Sequence, residues 1–461
     1  MSRPAGAVDA FLSGCRAAVG AGQVLDDPDL TASYTVDWTG RWRGATPAVV
    51  RPGDTGEVAE VVTLARRHGV ALVPQGGNTG LVGGGVPLAG EVVVSLGRLA
   101  DLGPVDTTAA QVTAGAGVTL AGLAAHAAAA GLAFGVDLGA RDSATVGGMV
   151  ATNAGGIHVV RYGAMRAQVV GVEAVLGTGA VVSRLGGLVK DNTGYDLAQL
   201  LCGSEGTLGI VTAARLRLVA PPAERATALV ALPDVAAAVA LAAAVRAAVP
   251  DVLALELMDG PGLRLVAGHL GATPPVAPDA GAYLLVEAGG PDDPLPALAA
   301  ALEDAEGAGG GAGTAVATTG ADRARLWRWR EAHSEAGTAL GPVHKLDVTL
   351  PIGDLAAFCA DVRDRVAAAR PGARLLLFGH VGDGNVHVNV VGPPDDDEEV
   401  DDLVLGLVVE RGGSISAEHG IGTAKRRWLA RDRSPAEVAA MRAVKAALDP
   451  DGVLNPGALL G

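Results

Sequence analysis

Hydrophobic residues near the start of the chain change between strand-like and helix-like spacing. The short β-branched runs AVVRP at 48–52 and VALVP at 70–74 predict two strands. Between them, TGEVAEVVTLARRHG at 55–69 repeats its apolar residues at helical intervals, with Thr55 as the expected cap and Gly69 as the expected stop. This part of the chain is therefore expected to form a strand, a helix and a second strand.

Two glycine-rich tracts interrupt this pattern. The first glycine tract, QGGNTGLVGGGVP at 75–87, leads into another predicted strand, EVVVSL at 91–96. A Rossmann loop would lead directly into a helix, so this tract predicts a phosphate-cradling loop outside the Rossmann fold. The second glycine tract, LGARDSATVGGMVATNAGG at 138–156, follows a helical pattern at 117–131.

The first half of the chain ends with a hairpin pattern, and the second half begins near residue 221. A hairpin pattern at 169–182 turns at Gly177–Gly179, and Pro221-Pro222 marks a plausible boundary. Beyond it, strands such as ATALVAL at 226–232 and AYLLVEA at 282–288 alternate with Ala-rich helices. This order is typical of an α+β domain with an antiparallel sheet.

Two segments of this half are predicted as loops from their composition. GAGGGAG at 307–313 is expected to be flexible, and DDDEEVDD at 395–402 is expected to be a solvated acidic loop.

The stretch FGHVGDGNVHVNV at 378–390 places two histidines around a turn signal. Gly382–Gly384 is expected to end one strand at His380 and begin another. His387 and Asn389 then share one strand face, and the intervening valines share the other, buried face. From this stretch alone, two converging ligands and two histidines satisfied within a hairpin are equally good interpretations.

Composition limits the classes of partner. With 461 residues the chain is long enough for two or three domains, and its net charge of −15 argues against nucleic acid or an anionic membrane surface. An anionic small substrate would need a local basic pocket.

The cysteines and the apolar segments indicate the cellular compartment. Cys15, Cys202 and Cys359 have no CxxC spacing, which favours reduced thiols. The N-terminal residues lack the apolar core of a signal peptide, and the apolar run at 235–249 is broken by Arg246, so it is expected to be a packed helix. We expect a cytoplasmic protein without an integral membrane segment.

Eight segments together carry a family resemblance, which runs from about Trp38 to the end of the chain. They resemble the FAD-binding PCMH-type (vanillyl-alcohol oxidase) oxidoreductases, within them the branch of D-lactate dehydrogenase, D-2-hydroxyglutarate dehydrogenase and the FAD subunit of glycolate oxidase. The segments, in family order, are PQGGNTG, ATVGGMVATNAGG, RYG, KDNTGYDL, GSEGTLGIVT, GHVGDGNVHVN, AEHGIGTAK and LDPDGVLNPG.

The resemblance implies a two-part PCMH-type FAD-binding domain and an α+β cap domain with an antiparallel sheet. The expected bounds are an N-terminal segment at 1–42, the FAD domain at 43–221, the cap with substrate and metal sites at 222–429, and a C-terminal segment at 430–461 that returns to the FAD domain.

FAD is the expected cofactor. Glycines allow backbone N–H groups to approach phosphates closely, and Asn78 stands where relatives with covalent flavin often have histidine, so we expect noncovalent FAD. The expected FAD-binding residues are Pro74, Gly76, Gly77, Asn78, Thr79, Gly80, Leu81, Thr145, Gly147, Gly148, Asn153, Gly155, Gly156, Glu205, Ile210 and Asn455.

By the same resemblance, His380, His387 and Glu418 hold a divalent metal, zinc by its ligand types, while Asn389 contacts substrate and His419 is the general base. The alternative for Glu418-His419 is a plain ion pair in a loop.

The segment LWRWREAHSEAGTALGPVHKLDVTLP at 326–351 resembles the family's carboxylate-binding segment. Arg330 and Ser334, four residues apart on one expected helix face, and Lys345 on the next strand are expected to bind the substrate's C1 carboxylate. Ser334 stands where the hydroxyglutarate enzymes have threonine, which leaves substrate size open.

The expected reaction is oxidation of a D-2-hydroxy acid to the 2-oxo acid. The metal lowers the pKa of the hydroxyl, His419 takes the proton, and C2 delivers a hydride to flavin N5. Electrons then pass to an acceptor such as an electron-transfer flavoprotein, a quinone or a cytochrome, and a homodimer is one expected assembly. The alternatives are an oxidase of glycolate or another alcohol, or a non-catalytic electron-transfer subunit.

Overall fold

The computed structural model describes residues 5–307, 313–394 and 396–461. Its α-helices are α1 (Ala5–Val19), α2 (Pro28–Thr31), α3 (Thr55–His68), α4 (Leu120–Ala129), α5 (Val146–Thr152), α6 (Val159–Tyr162), α7 (Met165–Gln168), α8 (Leu197–Leu201), α9 (Val235–Ala248), α10 (Gly260–Leu270), α11 (Leu295–Gly307), α12 (Gly320–Glu331), α13 (His333–Thr338), α14 (Leu355–Ala369), α15 (Glu398–Glu410), α16 (Leu429–Asp432) and α17 (Pro435–Leu448).

The strands form three sheets. They are β1 (Val24–Leu25), β2 (Val49–Val50), β3 (Leu72–Gln75), β4 (Val92–Ser95), β5 (Gln111–Gly115), β6 (Val169–Leu176), β7 (Val181–Ser183), β8 (Gly209–Arg217), β9 (Glu224–Leu232), β10 (Val252–Asp259), β11 (Ala282–Gly290), β12 (Thr314–Val316), β13 (Val343–Thr349), β14 (Arg374–His380) and β15 (Asn385–Val391). The strand orders are β1-β2-β4-β3, β5-β8-β6-β7 and β12-β9-β11-β10-β14-β15-β13.

The chain divides into two compact units. The first unit comprises residues 1–156, 162–220 and 418–461, and the second comprises residues 157–161 and 221–417. The chain thus enters the second unit near Pro221 and leaves it after Ala417.

The first unit is built on two small sheets. In the first sheet β2, β4 and β3 are parallel, and helices α1 and α3 contribute side chains such as Phe11 and Val61 to its apolar core. In the second sheet β5, β8, β6 and β7 are antiparallel, and Met149 of α5 is buried in its core. The hairpin β6–β7, with Gly179 in the left-handed region, confirms the hairpin predicted from the pattern at 169–182.

The C-terminal residues of the chain are part of this unit. Leu454 forms a parallel bridge with Leu72 of β3, and the Asn455 N–H donates to the Leu72 carbonyl at 2.8 Å. This bridge extends the edge of the first sheet beside the point where the first glycine tract begins.

The second unit is built on the seven-stranded antiparallel sheet. Helices α10, α12 and α13 pack on one face, where Tyr283, Met258 and Phe378 are buried. The alternate residues of the same strands, such as Leu284 and Val388, are also buried, so both faces of the sheet are covered. The expected α+β cap with an antiparallel sheet is confirmed.

Two local predictions need correction. The cap of α3 is Asp54, whose side chain accepts from the Glu57 N–H, whereas Thr55 is the first helical residue; Gly69 in the left-handed conformation ends the helix as expected. Of the described residues of the acidic stretch, only Asp396 and Asp397 lie outside a helix, because α15 begins at Glu398.

The acidic residues of α15 are consistent with a helix. Carboxylates in a first turn interact favourably with the helix dipole, and Val400, Val404 and Val408 supply an apolar face that is buried. The prediction of a flexible loop at 307–313 falls mostly on residues 308–312, which lie outside the described residues.

The run at 235–249 forms α9 and packs against the sheet, as predicted. Among the described residues, the helices are all too short or too polar to cross a bilayer.

His333 is expected to make the second unit sensitive to mild acid. The ring is fully buried, and burial together with the neighbouring Arg330 charge lowers its pKa from 6.5 to about 3. Between these values the unfolded chain binds a proton that the folded chain does not, so stability falls as pH drops below 6.5.

At pH 5 this linkage costs about 2 kcal/mol relative to pH 7. Urea unfolding at both pH values should show a smaller loss for His333→Gln than for the wild type. Equal losses in the two proteins would contradict a neutral, buried His333.

Candidate active site

The polar residues of the second unit lie on one face of its sheet because of strand register. His380 of β14 is opposite Glu256 of β10, and Phe378 is opposite His387 of β15. His387 is in turn opposite Asp347 of β13. Directly opposed residues in an antiparallel sheet point to the same face, so these side chains form one row across four strands.

The hairpin that carries the two histidines has the predicted form. β14 ends at His380, the turn follows, and β15 begins at Asn385. Val386, Val388 and Val390 are fully buried on one face, and His387 and Asn389 share the other.

A carboxylate contacts the Nδ1 atom of each histidine. The His380 Nδ1 lies 2.6 Å from Glu256 Oε1, and the His387 Nδ1 lies 3.3 Å from Asp347 Oδ1. Both carboxylates are fully buried. A carboxylate beside Nδ1 favours the tautomer with the proton on Nδ1, which makes Nε2 the atom with the lone pair.

This donor set fits a divalent metal ion. A ring nitrogen of His380 lies within 4.8 Å of one of His387, and the two rings are edge to face at 5.5 Å. Metal-ligating histidines commonly donate their second ring N–H to a carboxylate, which is the arrangement of both residues here.

Arg330 lies beside this pair. Its side chain is 10% exposed, its Nε lies 2.6 Å from Glu256 Oε2, and its guanidinium carbon lies 4.8 Å from the centre of the Phe378 ring. Burial by itself raises the pKa of Glu256, but the His380 and Arg330 charges outweigh it, so the pKa of this carboxyl is lowered. Glu256 is therefore an ionised carboxylate between the His380 imidazole and the Arg330 guanidinium.

The other predicted substrate-binding residues lie on three elements, Lys345 on β13, Asn389 on β15 and Ser334 on α13. Lys345 of β13 is opposite Asn389 of β15, on the same sheet face as the histidines. Ser334 does not share a helix with Arg330, because α12 ends at Glu331 and α13 begins at His333. Ser334 is exposed at the start of α13, so the expected single helix face was wrong.

The structure also assigns partners to His344, on the opposite face of β13. Its Nδ1 contacts Asp401 at 2.8 Å and its Nε2 contacts the Pro394 carbonyl at 2.7 Å. It therefore ties β13 to α15.

In the first unit, the two glycine tracts lie against each other. A Cβ at Gly77 would overlap the Ser143 carbonyl, and one at Gly76 would overlap Thr145 Oγ1. Gly147 is equally close to Ala116, and Gly156 to Asp137. The absence of side chains at these positions is thus required by the protein itself, while Gly80 faces open space.

The resulting cradle fits a phosphate-bearing cofactor. Among the described residues, the backbone N–H groups of Gly76 to Gly80 have no acceptor. Thr145 Oγ1, beside Gly76 and Gly148, is buried and likewise has no partner there. A run of N–H groups and a hydroxyl without acceptors is suited to an anion such as a pyrophosphate.

Three predicted FAD-binding asparagines shape this cradle. Asn78, Asn153 and Asn455 all have φ between 42° and 52°, a left-handed conformation that asparagine tolerates better than most residues. The Asn78 side chain donates to the Val36 carbonyl, and Asn455 donates to the carbonyls of Gly84 and Glu205. Asn153 Oδ1 accepts from the Arg166 N–H.

The remaining predicted FAD residues are spread along the same elements. Pro74 lies in β3 against Gly206, Ile210 is buried in the first core, and Leu81 and Thr79 are half-buried in the first tract.

Glu205 holds the loop that contains His419. Its two carboxylate oxygens accept from the Ile421 N–H at 2.8 Å and the Gly422 N–H at 2.7 Å. Burial raises the pKa of Glu205, and these two N–H groups and Lys425 oppose that rise. Glu418, at the start of the same loop, accepts from the Gly156 N–H at 2.8 Å.

Glu256 and Asp347 are the site residues that sequence reasoning missed. Each is a buried acid within a strand, Glu256 in VLALELMD and Asp347 in VHKLDVT. An acid at an inward strand position is a usable signal, because such a group is rarely buried without a partner.

Two family models match the chain. The FAD binding domain matches residues 46–184, and the C-terminal domain of FAD linked oxidases matches residues 221–459, more than half of the chain.

Relatives match over nearly the full length. D-2-hydroxyglutarate dehydrogenase of Xanthomonas citri pv. viticola is 40% identical over 455 residues, covering 96% of this chain and 95% of that protein. The mitochondrial D-2-hydroxyglutarate dehydrogenase of Bos taurus is 36% identical, covering 95% of this chain and 81% of that protein. The solved structure of p-cresol methylhydroxylase with substrate bound shares the fold, with a TM-score of 0.79 at 17% identity, over 100% of this chain and 98% of that one.

The chain belongs to the family of FAD-linked oxidases. It is an FAD-dependent oxidoreductase with the two-domain PCMH-type fold.

Contact between the glycine tracts predicts a selective effect of a single methyl group. Gly77→Ala would push the tracts apart at the Ser143 carbonyl, which is backbone and has little room to move. We expect a loss of about 1–3 kcal/mol in stability and a large fall in the flavin content of the purified protein.

The matched control is Gly139→Ala in the second tract, where a Cβ meets nothing within 4 Å. Melting temperature and the flavin-to-protein absorbance ratio would be compared. If Gly77→Ala retained wild-type values of both, close contact of the tracts would not be what shapes the cradle.

Proposed function

We propose that the enzyme oxidises the CH–OH group of a D-2-hydroxy acid, D-2-hydroxyglutarate first among them, to the 2-oxo acid with FAD and a divalent metal. The observation that carries the proposal is the row on the second unit's sheet, where a carboxylate-backed histidine pair lies beside a buried arginine. The D-2-hydroxyglutarate dehydrogenases at 34–40% identity support the same substrate class.

FAD is held by the cradle of the two glycine tracts. Its backbone N–H groups from Gly76 to Gly80 and the Thr145 hydroxyl are the donors we assign to its phosphates. When FAD is bound, its isoalloxazine ring would accept the two electrons released by oxidation of the substrate carbon. Asn78, whose amide donates to Val36, cannot form the covalent flavin link that a histidine can, so the FAD is noncovalent.

Zinc is the metal that best suits the ligand types. His380 and His387 are the two ligands that we assign to the second unit, each binding through Nε2. A carboxylate that contacts Nδ1 orients each ring. A divalent cation here would supply Lewis acidity toward the oxygen atoms of the substrate.

Arg330 and Lys345 make this face attractive to a carboxylate in a chain with a net charge of −15. Because Glu256 occupies the Nε edge of Arg330, the two terminal nitrogens are the edge suited to a bidentate carboxylate. Asn389, opposite Lys345, is the polar group we assign to the rest of the substrate. Ser334 is exposed, and its assignment rests on the sequence resemblance.

Glu418 and His419 belong to the other unit. Their roles as third metal ligand and general base stay predictions from the resemblance. The Glu205 contacts with Ile421 and Gly422 define the path of the loop that carries them.

Anaerobic flavin reduction tests the proposal, because it is independent of the final electron acceptor. FAD- and zinc-loaded protein should bleach near about 450 nm when mixed with D-2-hydroxyglutarate, less readily with D-lactate or glycolate, and not with L-2-hydroxyglutarate. The same protein stripped of metal by a chelator should keep its FAD and reduce it at least about 100-fold more slowly.

The D-2-hydroxy acid assignment would be wrong if none of these acids bleached the flavin, or if both enantiomers did so equally. An undiminished rate in verified metal-free protein would remove the metal from the reaction. Acid precipitation of the protein should release the FAD into the supernatant.

A further inference from the structure

Glu256 is a carboxylate at the centre of an apolar strand. It is fully buried, and its neighbours in β10, Leu255 and Leu257, are buried as well. Placing an ionised acid in such a position is unfavourable unless each oxygen has a charged or hydrogen-bonding partner. Each oxygen of Glu256 has one.

The two partners belong to two different parts of the proposed site. Oε1 lies 2.6 Å from the Nδ1 of His380, a proposed metal ligand, and Oε2 lies 2.6 Å from the Nε of Arg330, the proposed carboxylate-binding residue. Register sets the first contact, since Glu256 and His380 are directly opposed on β10 and β14.

In both partners, Glu256 contacts a different atom from those proposed to bind the metal or the substrate. The imidazole would ligate through Nε2, because Nδ1 contacts Glu256. The guanidinium would offer its terminal nitrogens, because its Nε is in an ion pair with Glu256 Oε2 that lacks hydrogen-bond geometry. The Phe378 ring, 4.8 Å from the guanidinium, restricts its plane, and the same ring lies 5.1 Å from that of His387.

We infer that Glu256 is a positioning residue that orients the metal ligand His380 and the substrate-binding Arg330 together through one shared carboxylate. The inference rests on the proposed function and deepens it. It predicts that the affinities for metal and for substrate weaken together when this one side chain is changed, although Glu256 itself binds neither the metal nor the substrate.

A role in charge alone makes the opposite prediction for the substrate. A negative charge next to an anion-binding arginine repels the substrate, so removing that charge would tighten substrate binding. A role in positioning predicts weaker binding, because Arg330 would lose the contact that aims it. The direction of the change in KM therefore distinguishes a role in positioning from a role in charge alone.

The experiment compares Glu256→Gln with wild type as full-length, FAD-loaded protein. Zinc affinity is measured by competition with a chromophoric chelator, and KM and kcat are measured for D-2-hydroxyglutarate with zinc in excess. We expect the zinc Kd to rise about 10–100-fold and KM to rise at least about tenfold, with unchanged flavin content.

Glu287→Gln is the matched control. Glu287 is also buried on this sheet, lies 2.6 Å from Arg225 and accepts from Trp327 Nε1, but contacts neither His380 nor Arg330. Its zinc affinity and KM should stay at wild-type values. The inference would be overturned if Glu256→Gln had the same zinc Kd and KM as Glu287→Gln, or if its KM were below the wild-type value.

If Glu256→Gln does not fold, Glu256→Asp takes its place. Aspartate keeps the charge but is one methylene shorter, so it cannot span both partners, and intermediate losses in zinc affinity and KM are expected. Wild-type values in folded Glu256→Asp would overturn the inference. Wild-type protein that binds no zinc and is not reduced by the hydroxy acid would instead refute the proposed function.

Discussion

The register of the antiparallel sheet in the second unit is the constraint on which its chemistry depends. Glu256 is directly opposite His380, and His387 is directly opposite Asp347. Phe378, two residues before His380 on the same strand, is directly opposite His387, so the four polar side chains share one face of the sheet. A slip of one residue in any of these pairings would move the side chains of that strand to the other face. The buried valines of β15 oppose such a slip, since it would exchange them with His387 and Asn389 and place these polar side chains on the apolar face.

The first unit depends on a different constraint, the close approach of two loops. Gly77 and Gly156 have no room for a Cβ, and Asn78, Asn153 and Asn455 hold left-handed conformations with side chains bonded to the backbone. These contacts define the backbone path that presents the N–H groups.

Much of the site was predictable because its signals are local. The turn at Gly382–Gly384 and the period-two alternation of β15 were enough to place His387 and Asn389 on one face. The glycine tracts, and the end of α3 at Gly69, were equally legible, as both depend on residues close in sequence.

The errors and omissions have physical reasons. Glu256 is 124 residues from His380, and no local pattern tells which strands pair across that distance. The acidic stretch at 395–402 was interpreted by charge alone, whereas the valines of α15 decided its structure. Arg330 and Ser334 have helical spacing, but they belong to two successive helices, and no local sequence pattern marks the end of α12 at Glu331.

The most direct test of the central claim is to locate the metal. Crystals of the zinc-loaded enzyme, measured on both sides of the zinc absorption edge, should give one anomalous peak about 2.0–2.1 Å from the Nε2 atoms of both His380 and His387, with Glu256 and Asp347 still on the Nδ1 side. Absence of a peak at this pair, or zinc bound through either Nδ1 atom, would contradict the account.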